Sequence, residues 1–208
     1  MEIIRNVERV QGRTLVLFES GWKVWLLPGM DPGFPLSEGT AVDRRQFEQY
    51  LMLQEYPSAL EKAVSMLAAR ARSKKEIMDK LLALRYDPEV AGLVVYKLEK
   101  ENLLDDEAFS AQWVRSRMKK YGAAKIAHEL RTKGIESETV NQVLESCPES
   151  EQLENAVRLA EKKIRGDRHP EDKRSLYKRV TDMLLRRGYS WDLAKKAFEI
   201  ASHQDAPE

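Results

Sequence analysis

Hydrophobic and polar residues alternate along the first 27 positions, which is the two-residue period of a β-strand with one buried face. Gln11-Gly12 and Ser20-Gly21 interrupt the alternation and leave three short runs that are rich in β-branched and aromatic residues. Such runs, separated by turn residues, predict a small antiparallel β-meander. Prolines and glycines crowd residues 28–35 and predict a loop, because proline fixes φ and lacks an N–H donor.

Helical periodicity begins after this loop and continues to the end of the chain. Asp43 and Gln46 form a capping pair that predicts a linking helix, which is expected to end near Pro57. From residue 58 onward one helical pattern is repeated three times, with Arg85, Gly134 and Gly188 at equivalent positions. Apolar residues recur around these positions: Leu81, Leu130 and Leu184 four residues before, Ile77, Ile126 and Val180 eight before, and Tyr86, Ile135 and Tyr189 one after.

Each repeat is predicted to contain three helices. Ser58 with Glu61 and Ser73 with Glu76 have the spacing of a capping box and indicate two helix starts. The first helices are expected at about residues 59–72, 106–120 and 151–165, and the third helices at about 88–100, 138–145 and 191–201. The sequence thus predicts a mainly α protein, an elongated array of three tandem three-helix repeats (58–104, 105–149 and 150–203), preceded by the β-meander and linking helix (1–57) and followed by a disordered tail (204–208).

The stretch from residue 103 to 135 shows the helical pattern most clearly. It combines acidic residues at the start of a helix, an aromatic helical face and a glycine expected at the end of each of two helices. These structural residues are Asp105, Asp106, Phe109, Trp113, Gly122 and Gly134.

Composition limits the class of protein. The chain has 208 residues, 42% of them hydrophobic, with no N-terminal signal pattern and no apolar run of the ~18 residues that a membrane span needs. We therefore expect a soluble, cytoplasmic monomer without membrane contact. The single cysteine, Cys147, excludes an internal disulfide, and His128, His169 and His203 lack metal-ligand spacing. With no glycine-rich phosphate loop either, we expect no metal, no cofactor and no enzymatic activity.

The formal net charge is only +1, but the charges are segregated along the chain. Residues 66–86 hold six basic and two acidic side chains, residues 87–107 two and seven, residues 108–134 seven and one, residues 135–155 none and six, and residues 162–188 ten and four. Stacked repeats would align like charges into a positive and a negative stripe. A solvated face with local ion pairs explains any one cluster, but three clusters in phase favour a surface for a long anionic partner.

A helix-turn-helix reader of duplex DNA is the obvious candidate for such a surface, and two features oppose it. Leu130 stands where close helix packing usually requires a small side chain. The helix after Gly134 carries Glu138 and Glu145 but no lysine or arginine, and phosphates flanking a major groove would repel it. A sequence-specific duplex reader is therefore not expected.

Three segments, RSKKEIMDKLLALRYDPEV (72–90), LLDDEAFSAQWVRSR (103–117) and KIAHELRTKGI (125–135), resemble the RecX family of recombinase regulators. The resemblance extends in order over about residues 58–201, and the N-terminal meander resembles the extension of longer family members. The chain departs from the usual family residues at Arg85 (glycine), Ser110 (alanine), Trp113 (tyrosine) and Ala123 (proline).

The resemblance implies a non-enzymatic regulator in DNA repair, homologous recombination and the SOS response. It would bind the RecA filament on single-stranded DNA, with duplex DNA bound more weakly, and restrain filament growth, ATP hydrolysis and strand exchange. A non-specific single-stranded DNA-binding protein and a helical adaptor for another protein remain as alternatives. Arg117 matches a family arginine and is the favoured contact among the predicted filament- and DNA-binding residues, which are Arg70, Arg72, Lys74, Lys75, Arg115, Arg117, Lys119, Lys120, Lys125, Arg131 and Lys133.

Overall fold

The computed structural model describes residues 1–10, 12–167 and 172–204. Within these ranges the chain forms four strands and nine helices, and it divides into two compact units, residues 1–105 (unit 1) and 106–208 (unit 2). Gln11 of the predicted first turn, His169 and residues 205–208 of the predicted tail lie outside the described residues.

Unit 1 begins with an antiparallel sheet of four strands: β1 Glu2–Val10, β2 Arg13–Phe18, β3 Lys23–Leu26 and β4 Ala41–Val42. Their order in the sheet is β3-β2-β1-β4. The predicted meander of the first three strands is confirmed. A fourth, unpredicted strand forms because the chain returns after the proline-rich loop and pairs Glu2 with Val42 and Ile3 with Ala41.

Helix α1 spans Arg44–Ala69, so the prediction of a helix that ends near Pro57 was wrong. Pro57 lies on the exposed side of the helix, and Leu53, whose carbonyl loses its N–H partner, is 74% exposed. Water can therefore replace the missing hydrogen bond. Because the buried stripe continues past the proline to Met66, tertiary packing keeps the helix intact.

The first repeat continues with α2, Lys74–Ala83, and α3, Pro88–Lys100. Ser73 and Glu76 form the predicted capping box at the start of α2. Ser58 does not cap a helix as predicted, since it lies inside α1, and its hydroxyl is 2.9 Å from the Tyr86 hydroxyl. This contact joins α1 to the turn between α2 and α3.

Unit 2 contains the second and third repeats. The second consists of α4 Asp106–Arg117, α5 Ala123–Thr132 and α6 Ser137–Glu145, and the third of α7 Glu149–Arg165, α8 Lys173–Arg186 and α9 Trp191–Gln204. Helix α4 ends three residues before the predicted Lys120. Each repeat has its own hydrophobic core, which includes Leu130 in the second repeat and Leu184 in the third, and both side chains are fully buried.

The turn after the second helix has the same structure in all three repeats. Arg85, Gly134 and Gly188 have positive φ angles of 65°, 81° and 86°. The following N–H closes a Schellman turn by donating to a buried leucine carbonyl of the helix. These bonds join Tyr86 to Leu81 (3.2 Å), Ile135 to Leu130 (3.1 Å) and Tyr189 to Leu184 (3.2 Å). The predicted register of the repeats is thereby confirmed.

Arg85 adopts the left-handed conformation without being glycine, which costs an L-residue roughly 1–2 kcal/mol. Its guanidinium lies 5.2 Å from the Trp25 ring centroid, and a cation–π contact contributes about 0.5–1 kcal/mol at an exposed site.

We predict that Arg85→Gly raises the free energy of unfolding by about 0.5–1 kcal/mol in urea denaturation. Gly134→Ala, the opposite change at the equivalent turn, is expected to lower it by about 1 kcal/mol. Equal destabilisation by both would contradict this prediction.

Glu55 is a fully buried carboxyl group between α1 and the start of α3. One of its oxygens accepts the Asp87 N–H at 2.8 Å, and the other has no hydrogen-bond partner in the described structure. Burial raises the pKa of Glu55 to about 7, against the weaker opposing effects of that N–H and of Arg13.

A raised carboxyl pKa makes stability depend on pH. The folded protein holds a proton on Glu55 that the unfolded chain, with a pKa of 4.5, has already released, so stability falls as the pH rises towards about 7. We predict that Glu55 contributes a loss of about 2 kcal/mol in unfolding free energy between about pH 5 and pH 7. In Glu55→Gln this loss should be absent from urea unfolding curves. A variant as pH-dependent as the parent would contradict the assignment.

Candidate nucleic-acid interface

Five cations on the second repeat form an exposed group, called here the α4–α5 cation set. Its members all lie at the surface, and within the described ranges none of them forms a salt bridge. Because their charges are not neutralised locally, they are available to an anionic partner. They are Arg115, Lys119, Lys120, Lys125 and Arg131.

A close backbone contact fixes the position of one member of this set, Lys120. Gly122, expected to end α4, is instead the N-cap of α5, and its N–H donates to the Arg187 carbonyl at 2.9 Å. A Cβ atom on Gly122 would lie 2.4 Å from the Gly188 carbonyl oxygen. The Arg187 guanidinium also donates to the Lys120 carbonyl at 3.3 Å. Lys120 is therefore held against the end of α8 in the third repeat.

Arg117, the favoured contact in the sequence analysis, belongs to what we call the Trp113 cluster, with Trp113, Glu129 and Lys133. Its Nε lies 3.2 Å from Glu129 Oε2, which also accepts the Trp113 indole N–H at 3.0 Å. The Trp113 ring faces two cations, with Arg117 at 4.5 Å and Lys133 at 4.3 Å from its centroid. Arg117 and Lys133 are therefore held by intramolecular contacts, and they are less exposed than the α4–α5 cation set.

The predicted cations of unit 1 all have intramolecular partners. Arg70 pairs with Glu76 at 3.0 Å and Lys74 with Glu99 at 2.5 Å. Arg72 donates to the Met66 carbonyl at 3.2 Å, and Lys75 pairs with Asp79. Exposed ion pairs contribute only ~0–1 kcal/mol to stability, so a phosphate can replace the acidic partner. Each pair that must be broken nevertheless reduces the net free energy gained on binding DNA.

Two other residues of the predicted structural motif, Asp106 and Phe109, lie in α4. Phe109 is buried and its ring centroid lies 5.8 Å from that of Trp113, while Asp106 is the first residue of α4. Ser110 is also buried, and its hydroxyl donates to the Asp106 carbonyl at 2.6 Å. Burial raises the pKa of the Cys147 thiol, which disfavours the reactive thiolate.

Two surfaces were missed by the sequence analysis. Lys162, Lys163 and Arg187 join Lys120 around a cavity of about 450 Å³ in unit 2. The count of ten basic residues in 162–188 signalled this cluster, but no residue there was singled out. In unit 1, α1 and α3 form an apolar groove lined by side chains that include the exposed Leu53 and Tyr96.

Neither a metal centre nor a membrane span is found in the part of the chain that the structure describes. No group of three or more histidine, cysteine, aspartate or glutamate side chains there could hold a metal ion. Likewise, no described helix is both long and apolar enough to cross a bilayer.

Family models match all three repeats: RecX first three-helix domain at residues 59–98, second at 105–144 and third at 149–198. The regulatory protein RecX of Mycobacterium avium (strain 104) is 34% identical over 131 residues, which is 62% of this chain and 76% of that protein. The chain belongs to the RecX family. This family consists of regulatory proteins and is not an enzyme family.

Solved RecX structures have the same fold. A crystal structure of regulatory protein RecX superposes with a TM-score of 0.65 at 22% identity, and covers 98% of this chain and 100% of its own. RecX from Lactobacillus salivarius gives 0.67 at 25% identity, over 73% of this chain and 99% of its own. The first of these matches includes the N-terminal sheet, so the sheet is part of a RecX architecture.

Proposed function

We propose that this RecX protein binds the filament that RecA forms on single-stranded DNA and restrains its growth, ATP hydrolysis and strand exchange. It would act without catalysis of its own, as a monomer in the cytoplasm, with no cofactor. The observation that carries the proposal is the α4–α5 cation set, five exposed charges without salt bridges among the described residues. Such charges gain free energy on meeting a phosphate backbone because condensed counterions are released.

The charge pattern favours a single strand within a filament over a duplex operator. Helix α6, which follows the Gly134 turn, includes Glu138 and Glu145 and no basic residue. Inserted into a major groove it would be repelled by the flanking phosphates. Duplex DNA is therefore proposed to bind more weakly, through the same cations and without sequence readout.

The predicted cations have different parts in this proposal. The α4–α5 cation set supplies the primary phosphate contacts. Arg117 and Lys133 hold Trp113 in place, so they support that surface from the Trp113 cluster. Arg70, Arg72, Lys74 and Lys75 of the first repeat exchange their intramolecular partners for phosphates when the filament is bound. In this proposal each unit contacts the strand through its own cations.

The deciding experiment measures RecA ATP hydrolysis on single-stranded DNA, with and without this protein at substoichiometric ratios to RecA. Inhibition under these conditions is expected, because one bound molecule stops the growth of a filament of many subunits. A single-strand-specific exonuclease on the same DNA is the control, and it should keep its activity at these ratios. Equal inhibition of both enzymes would instead indicate a protein that only covers DNA. No effect on RecA combined with no DNA binding would support the adaptor alternative.

A further inference from the structure

Unit 2 contains a cleft, called here the basic cleft, between its second and third repeats. It is lined by the turn that follows α4 in the second repeat and by α7 and α8 of the third repeat with their C-terminal ends, and its volume is about 450 Å³. The lining residues are Lys120, Leu159, Lys162, Lys163, Gly166, Met183 and Arg187. Four cations from three separate segments therefore converge on one space.

The cleft has a defined geometry, because two glycines bring the repeats into backbone contact. The Gly122 N–H donates to the Arg187 carbonyl at 2.9 Å, and the Ala124 N–H to the Gly188 carbonyl at 3.2 Å. The Arg187 guanidinium reaches the Lys120 carbonyl at 3.3 Å. These hydrogen bonds hold the backbone at Lys120 against that at Arg187.

The charge of the cleft is only partly neutralised. Lys163 lies 3.5 Å from Asp167, but Asp167 is shared with Arg179, whose Nη2 is nearer at 2.8 Å. Lys120, Lys162 and Arg187 form no salt bridge within the described ranges. Lys162 and Lys163 lie in the last turn of α7, where the helix dipole stabilises positive charge. The dipole explains these two lysines but does not explain why Lys120 and Arg187 lie close to them.

The lining also limits the chemistry of the ligand. Leu159 and Met183 add apolar surface to the cationic walls, so the cleft suits an anion with an apolar part. A sugar–phosphate unit has this character, since its phosphate carries the charge and its deoxyribose has a largely apolar face. A metal cation would be repelled, and an acidic side chain would leave the apolar surface uncovered.

We propose that the basic cleft binds the phosphodiester backbone of single-stranded DNA, so that the third repeat takes part in holding the strand. The identification of the strand rests on the proposed function. The cleft continues from the α4–α5 cation set, because Lys120 belongs to both. A strand bound along the second repeat can therefore pass into the cleft without leaving the positive surface.

The test is a titration of a fluorescent oligothymidylate with Lys162→Gln/Lys163→Gln, in the absence of RecA. Loss of about two phosphate contacts should weaken binding about tenfold near 0.1 M salt, and it should reduce the slope of log affinity against log salt by roughly 1.4. The matched control is Lys195→Gln/Lys196→Gln on α9, which removes the same charge from exposed positions in the same unit. The control should stay within about twofold of the parent.

Two results would overturn the proposal: an unchanged affinity and slope in the cleft variant, or an equal loss in the α9 control. Lys162→Gln alone is a second variant, which leaves the Lys163–Asp167 pair intact. It should reduce the salt slope by about half as much as the double variant does. The proposed function fails separately, if the unmodified protein leaves RecA ATP hydrolysis unchanged. The RecA-free titration tests DNA binding in the basic cleft, whichever result the RecA ATPase assay gives.

Discussion

Gly122→Ala is expected to destabilise unit 2 by about 3 kcal/mol, the largest stability effect predicted for a single substitution in this protein. A Cβ at this position would lie 2.4 Å from the Gly188 carbonyl oxygen and 2.5 Å from the Tyr189 nitrogen. Both obstacles are backbone atoms, so no side-chain rotation relieves the overlap. The repeats must separate, which also breaks the Gly122 N–H bond to Arg187. Urea denaturation followed by circular dichroism measures the loss.

The φ and ψ angles of Gly122, −81° and 170°, are allowed for every residue, so the expected loss reports the close approach alone. Gly166→Ala provides the matched control in the same unit. Its added Cβ meets nothing nearer than the Lys162 carbonyl oxygen at 3.4 Å, an ordinary contact. We expect Gly166→Ala to change stability by less than about 1 kcal/mol. If the two alanine variants unfold at the same urea concentration, the backbone contact does not hold the repeats together.

Arg115→Glu/Lys119→Glu is expected to weaken binding to RecA filaments on single-stranded DNA about 30-fold near 0.1 M salt and to flatten the salt dependence. Both residues are exposed, four positions apart in sequence, and form no salt bridge within the described ranges, so their reversal breaks no internal pair. The reversed charges repel phosphates that the parent residues attract. Fluorescence anisotropy of labelled filaments measures the affinity, and the RecA ATPase assay should require correspondingly more protein for inhibition.

Lys195→Glu/Lys196→Glu makes the same change of net charge on α9, and separates a local contact from a general charge effect. We expect this control to bind within about threefold of the parent, because long-range repulsion is screened beyond ~10 Å at this salt concentration. Filament affinity that is equal in both charge-reversed variants would show that the α4–α5 cation set makes no specific contact.

Local sequence patterns predicted much of the fold because they act over a few residues. The αL turns at Gly134 and Gly188 and the capping box of Ser73 and Glu76 need only neighbours along the chain. Pro57 was misinterpreted because its local effect, the loss of one hydrogen bond, is outweighed by packing of α1 on the rest of unit 1. Strand β4 was missed because it is two residues long and exists only through its pairing with β1.

The candidate site was predictable in composition but not in arrangement. The count of charges located basic segments, because charge is a property of the residues themselves. Which cations are free depends on partners far along the chain, as in the pairs of Lys74 with Glu99 and of Arg117 with Glu129. The basic cleft joins Lys120 to Arg187, and nothing in the spacing of these residues predicts their contact.

The sequence by itself determined the threefold helical repeat, its register and the segregation of charge, because helix periodicity, capping and side-chain ionisation are local properties. Only the tertiary structure decided that Gly122 is a point of backbone contact, that Arg117 is held by Glu129 and Trp113, and that Glu55 is buried with a raised pKa. These features depend on contacts between groups that are far apart in sequence. Such groups meet, and exclude water, only when the elements pack together.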